Sequence, residues 1–429
     1  MKKRIIAIAM AVLTVAIVLL SSVSCGSVRT LNVYNWGEYI SDGSDGSLDT
    51  NKAFEEWYEK TYGEKIRVNY TTYASCEDLY AKLKSGAVSY DVVIPSDYMI
   101  QQMISENMLE KLDFANIPNY QYIADDFKDP SGSINSYDPN HEYSVPYTYG
   151  MVGIIYNTQN VNTTPSSWSL LWDPDYSGQI LNFNNPRDAF GTAMYKLGID
   201  VNTTKAEDWQ KALESLKNQK PFIQGYVMDE IFNKMKSGSA SIAPYYAGDF
   251  FTMYADNENL AFYYPSEGTN IFIDAMCIPK GSANKELAEA YINFMLSEDA
   301  AVANSEYICY ASPNTLVRKN AEYREYMNEL HPDAYDILYT SASGIMTSNY
   351  QKLDADTQAL MNSLWEELKV DSSIGTGVFI VGGILAAIIV AAVVILVIRK
   401  KKRSQYDDLD DDEDENKGES KKDDKKEND

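Results

Sequence analysis

From Ser372 to Ile398 the chain carries no charged residue, and Val378–Ile398 is almost wholly Val, Ile, Ala, Leu and Gly. A helix of about 20 apolar residues crosses the hydrocarbon of a bilayer. The stretch therefore predicts a transmembrane helix over 374–398, too long and too apolar to be a core helix. The basic run Arg399–Arg403 follows at once and marks the cytoplasmic flank. Beyond it, 399–429 alternates acidic and lysine blocks with almost no apolar residue, which predicts a disordered cytoplasmic tail.

The N-terminus points the same way. Lys2, Lys3 and Arg4 precede the uncharged, mostly apolar run Ile5–Leu20, and Ser-Ser-Val-Ser-Cys follows. This predicts a signal peptide or N-terminal anchor over 1–25. Cys25 is a candidate lipidation site, since bacterial lipoproteins are cleaved before a Cys that receives lipid. Ser22 stands where that pattern usually has an aliphatic residue. Both ends lie on the cytoplasmic side, so the segment between them is expected outside a bacterial cell membrane.

Composition narrows what that ectodomain does. The 37 Lys+Arg against 62 Asp+Glu leave a formal net charge of -25, and the tail nearly balances its own charges. An acidic field repels nucleic acid and attracts cations. Two His and four Cys supply little for a His-based metal site or a disulfide framework. Cys76, Cys277 and Cys309 are expected as buried thiols. The chain has no GxxxxGK[ST], HExxH, GxSxG or CxxC pattern. No catalytic residue, metal site or cofactor is expected, and the chain does not read as an enzyme.

Between the ends, strands and helices alternate. Leu31–Asn35, Ile66–Tyr73, Asp91–Ile94, Gln179–Phe183, Ser239–Pro244 and Ile271–Ile278 read as strands. Helices are expected at Lys52–Tyr62, at Cys76–Leu83 with Ser75 as cap, from Ser96 to Met108, near Pro186, near Gly248, at Lys285–Met295 and at Asp354–Val370. The rhythm predicts an α/β fold with a parallel sheet. Aromatic and acidic residues collect just after strand ends: Trp36, Glu38 and Tyr39; Ser96, Asp97 and Tyr98; Asp188; Tyr246. Phe272 and Asp274 lie on a strand. In open α/β sheets ligands bind beyond the carboxyl ends of strands. A cleft walled by rings and carboxylates suits an organic polycation, with ammonium groups on the acids and methylenes on the rings. Tyr-rich surfaces also bind sugars and proteins.

Six segments in order, VYNWGEYI, YDVVIPSDYMI, YSVPYTYGMVGIIYN, SWSLLWDPDYSG, IDAMCIPKG and YINFMLSEDAA, resemble the spermidine/putrescine-binding proteins of bacterial ABC importers. The resemblance runs from about Leu31 to Val370. It implies a two-lobed periplasmic-binding-protein-like fold with a hinge and a central ligand cleft. Lobe 1 would comprise 30–148 and 274–319, and lobe 2 would comprise 149–273 and 320–371. The implied function is capture of spermidine or putrescine outside the cell and delivery to permease subunits and, through them, an ATPase. A receptor or sensor for another small cationic ligand, without import, is the alternative.

Residue by residue, the resemblance implies that Trp36 and Tyr39 line the cleft and that Glu38 faces a terminal amine. Ser96 and Tyr98 match the ligand loop after the third strand. Asp188 stands where the family has a Glu. Tyr246 and Phe272 each replace a Trp, and Asp274 is the carboxylate for the central amine. Tyr310 fits the Y-x-x-P-N stretch, and Gln351 follows from aligning the last helix without gaps. Two departures stand out: Asn185 replaces an Asp and Asp97 replaces a Thr. Together they leave the choice between spermidine and putrescine open.

Overall fold

The computed structural model describes residues 28–129, 136–339 and 345–370. The segment 1–25 with Cys25, the apolar run 374–398 and the tail 399–429 lie outside the described residues. Among the described residues no helix is long and apolar enough to cross a membrane. Those up to Trp365 form one compact unit; from Glu366 on, the described part of the second unit is the end of the helix Ala355–Lys369 and Val370.

Among the described residues ten strands share one sheet: β1 (Arg29–Trp36), β2 (Ile66–Tyr73), β3 (Val92–Val93), β4 (Ser144–Asn157), β5 (Ile180–Phe183), β6 (Ile223–Val227), β7 (Ile242–Tyr246), β8 (Leu260–Tyr263), β9 (Thr269–Cys277) and β10 (Thr347–Ser348). Their order is β2-β1-β3-β9-β4-β7-β5-β6, with β10 beside β9 and β8 beside β4. Parallel pairing holds at each flank, β1 with β2 and β3, and β5 with β6 and β7. The expected all-parallel sheet does not hold at the centre, where β4 and β9 run antiparallel from Ser144↔Cys277 to Met151↔Ile271. These two strands carry the chain between the parallel flanks, and a chain that crosses and returns must pair antiparallel with itself. The sequence pattern does not mark β4 as a strand. Eleven of its first twelve residues are buried, on both faces, so it lacks the apolar/polar alternation that marks a half-exposed strand.

The helices between strands start and stop on local chemistry. Asp49 caps α1 (Thr50–Tyr62) by accepting from Lys52 N at 3.0 Å. Ser75 caps α2 (Cys76–Ser85) through Asp78 N at 3.1 Å, as the sequence predicted. α3 (Asp97–Ser105) follows β3. Asn185 caps α4 (Pro186–Leu197), and Pro186 takes the first helical position, where its missing N–H costs nothing. α5 (Ala206–Gln219), α6 (Glu230–Lys236), α7 (Ala247–Tyr254), α8 (Lys285–Met295) and α9 (Glu298–Ile308) follow in chain order. Cys76, Cys277 and Cys309 are buried free thiols.

Candidate functional site

The carboxyl ends of β1, β2 and β3 on one flank, and of β5, β6 and β7 on the other, open onto a common cleft. β9 crosses its floor. The main chamber holds about 560 Å³ of atom-free space, part of it open to solvent. Trp36 and Tyr73 end β1 and β2 and pack at 4.7 Å on one wall. Tyr246, Phe272 and Tyr310 form the other, with centroids 5.3 and 6.1 Å apart at steep angles. Two close approaches require glycine. A Cβ on Gly248 would lie 2.2 Å from the Tyr310 ring, and one on Gly150 would lie 2.9 Å from the Phe272 ring.

Asp274 lies at the centre, buried on β9. Tyr39 donates its phenol proton to Oδ2 at 2.6 Å, and Ser96 donates to Oδ1 at 2.6 Å. A phenol has one proton, so Thr148 must donate in turn to the Tyr39 oxygen, also at 2.6 Å. A register shift in β4 between Pro146 and Thr148 makes this possible. It frees Tyr147 from the ladder, and the Tyr147 hydroxyl holds the Tyr39 carbonyl at 3.0 Å. Asp274 makes no ion pair among the described residues. Burial pushes its carboxyl up to about 6 against the two hydroxyl donors, which favour the anion. The cleft therefore contains an oriented carboxylate without a counter-charge among the described residues.

Past Phe272 a second, smaller chamber opens between Ser96–Tyr98, the start of α4, and Tyr350. Asn185 works twice here. Its Oδ1 accepts from Arg187 N at 2.9 Å, and its Nδ2 donates to Asp188 Oδ2 at 2.9 Å. Tyr246 donates to the same oxygen at 2.7 Å. Burial raises the Asp188 carboxyl to about 6 despite Tyr246 and the neighbouring Arg187. The Arg187 guanidinium is itself buried, 4.5 Å over the Tyr350 ring, and donates to Val201 O and Asn202 Oδ1. Asp97 accepts from Tyr98 N at 2.7 Å and Asn349 Nδ2 at 3.2 Å, and burial raises it to about 7.

Most residues singled out from the sequence meet here. Trp36, Glu38, Tyr39, Ser96, Tyr246, Phe272, Asp274 and Tyr310 line the main chamber; Asp97, Tyr98, Asn185 and Asp188 line the second. Glu38 takes a left-handed φ of 52°, which turns its side chain to the exposed rim while Tyr39 tucks inward. Gln351 lies on neither wall. Its side chain is exposed, and only its backbone engages Arg187 and Asn202. Its neighbour Tyr350 lines the second chamber instead.

Sequence reasoning missed several acids. Asp249, in the first turn of α7, accepts from Tyr310 at 2.7 Å, and burial pushes it up to about 8. Asp229 stands beside it in the main chamber, and Glu77 in the first turn of α2 accepts from the Tyr98 hydroxyl at 3.2 Å. All three open or precede helices, where an acid is ordinarily explained by the helix dipole. What distinguishes Asp229 and Asp249 is their position just past β6 and β7, the signal that served for Glu38 and Asp188.

A family model described as bacterial extracellular solute-binding protein matches residues 89–335. The spermidine/putrescine-binding periplasmic protein of Salmonella typhimurium is 34% identical over 339 residues, covering 76% of this chain and 92% of that protein. Among solved structures, the spermidine/putrescine ABC transporter substrate-binding protein PotD of Streptococcus pneumoniae aligns with a TM-score of 0.63 at 30% identity, covering 80% of this chain and 98% of that one. The TpPotD lipoprotein of Treponema pallidum aligns with a TM-score of 0.65 at 27% identity, covering 79% and 99%. These likenesses extend to the two-lobed binding-protein fold. The chain belongs to the bacterial extracellular solute-binding proteins, on the branch that holds the spermidine/putrescine-binding periplasmic proteins.

Proposed function

We propose that this protein captures a polyamine, spermidine or putrescine, in the cleft and delivers it to the permease of an ABC importer. It acts as a receptor, as the solute-binding family does, and not as an enzyme. The observation that carries the reading is Asp274: a buried carboxylate, oriented by Tyr39 and Ser96, without an ion-pair partner among the described residues and flanked by the Phe272 ring. An isolated buried charge is costly. A ligand ammonium neutralises it while the adjoining methylenes cover the ring.

The lobes are taken as 30–148 with 274–319, and 149–273 with 320–371, so that β4 and β9 form two of the crossings about which the cleft closes. Trp36, Glu38, Tyr39, Tyr310 and Asp274 hold one part of the ligand; Ser96, Asp97, Tyr98, Asn185, Asp188, Tyr246 and Phe272 hold the other. The uncharged run before Arg399 anchors the receptor in the bacterial cell membrane, facing outward, with its charged tail in the cytoplasm and lipid at Cys25 as a second tether. Tethering keeps the loaded receptor at the membrane surface that holds the permease.

The test is calorimetric titration of the full-length chain in detergent micelles with putrescine, spermidine and spermine. One saturable site for at least one of them is expected. Absence of binding by all three contradicts the reading.

A further inference from the structure

β9 presents Asn270, Phe272 and Asp274 to the cleft, because alternate residues of a strand share a face. Phe272 and Asp274 line the main chamber, and Asn270 and Phe272 line the second. Asn270 is 3% exposed, and its carboxamide Oδ1 is buried without a hydrogen-bond partner among the described residues. That state is unusual, since buried side-chain acceptors are nearly always paired. Its backbone is committed to the ladder, opposite Ser348 of β10. The side chain thus adds nothing to the pairing, and its unmet acceptor sits on a residue that lines the chamber.

Its surroundings select the kind of donor. Asp188 and Asp97 line the same chamber, and Glu77 stands behind Tyr98 with a second buried, unpartnered oxygen, Oε2. Arg187 donates to Val201, Asn202 and the Gln351 carbonyl, keeps a buried Nε without a partner among the described residues, and sets one positive charge beside three acids. A neutral donor would satisfy Asn270 alone. An ammonium, with three N–H donors, would satisfy Asn270 and balance the acids together.

The spacing then sets a length. Four residue steps separate Asp274 from Asn270, about 13 Å along β9, with the Phe272 ring between. A four-carbon diamine spans about half that distance. A triamine of spermidine's length, or an eight-carbon diamine, reaches from one to the other when a terminal ammonium, in place of the central amine the resemblance implies, sits at Asp274 and the methylenes cover the ring.

We propose that Asn270 is a ligand-binding residue whose carboxamide oxygen accepts from the far ammonium of a chain held at Asp274, so that the cleft face of β9 measures ligand length. This rests on the polyamine reading above. It assigns Asn270 a role in discriminating long polycations from short ones.

The experiment titrates the full-length chain in detergent micelles, as wild type, Asn270→Leu and Asn270→Asp, with putrescine, spermidine and an eight-carbon α,ω-diamine. Asn270→Leu is expected to weaken spermidine and the eight-carbon diamine about tenfold, the scale of one hydrogen bond to a charged group, and to leave putrescine within about twofold. Asn270→Asp, which keeps the acceptor and adds charge, is expected to retain or strengthen the long ligands. The melting temperature of ligand-free Asn270→Leu should be unchanged or higher, because an unpaired buried acceptor has been removed. Equal loss for all three ligands, or a lowered melting temperature that Asn270→Asp does not share, would make the residue structural and overturn the inference. Unchanged binding of the long ligands would overturn it too. Failure of the wild type to bind any polyamine would instead overturn the reading on which it rests.

Discussion

Tyr39 and Asp274, 235 positions apart in the chain, share a 2.6 Å hydrogen bond at the centre of the cleft. The phenol aims one carboxylate oxygen, and Ser96 holds the other. Tyr39→Phe removes a donor to a buried anion and leaves Thr148 without its acceptor. Spermidine affinity should fall by about 1–3 kcal/mol, with the cleft otherwise intact, as measured by titration calorimetry. Wild-type affinity in the variant would mean that Asp274 needs no orientation.

Asn185 holds the start of α4 with its oxygen and Asp188 with its nitrogen. Asn185→Asp keeps the cap but sets a second carboxylate 2.9 Å from Asp188 in place of a donor. Two acids that close cannot both ionise without a cation between them. The variant should bind its ligand with uptake of a cationic end into that pair, shifting preference toward spermidine over putrescine by on the order of 1 kcal/mol. Equal changes in the two affinities would dispose of this.

How far the sequence reached depends on which signal each residue carried. Phe272 and Asp274 were legible because alternation places them on one face of a recognisable strand, and Trp36 and Ser96 because they follow strand ends. The same alternation extends to Asn270, but an uncharged amide in a strand carries no charge signal in the sequence, and only the fold shows its oxygen without a partner among the described residues. β4 was legible only as a motif, since burial of both faces erases its period. Its register shift at Tyr147, which fixes Tyr39, depends on pairing with a strand more than a hundred residues away. Gln351 was placed by an ungapped alignment of the last helix, and Tyr350 beside it fills the chamber wall.

Gly248 has no side chain because Tyr310 occupies that space. Gly248→Ala puts a Cβ 2.2 Å from the ring, which must then leave its bond to Asp249. A stability loss of roughly 1–3 kcal/mol is expected, together with weaker spermidine binding. Thermal unfolding with and without ligand measures both. Unchanged binding would remove Tyr310 from the site.

Burial raises Asp97 to about 7, Asp188 and Asp274 to about 6, and Asp249 to about 8. The ligand-free fold therefore keeps protons that the unfolded chain, with carboxyls at 3.8, has released. Their contribution to stability is fully present below pH 3.8 and is lost as pH rises to about 8. A bound ammonium favours the charged acids, so binding should release protons near neutral pH and tighten as pH rises from about 5 to about 8. Calorimetry in two buffers of different ionisation enthalpy reads the proton count directly. Proton uptake on binding would contradict the assignment of these acids to the ligand.

The central claim, that Asp274 receives a ligand ammonium, is tested most directly by titrating spermidine into Asp274→Asn. The variant keeps the shape of the side chain and can still accept from Ser96 or Tyr39, so the fold should survive, as a wild-type-like cooperative melt would verify. Affinity should fall by roughly 2–5 kcal/mol, the scale for losing one member of a buried charged pair. A folded Asp274→Asn protein that binds spermidine as tightly as the wild type would contradict the account.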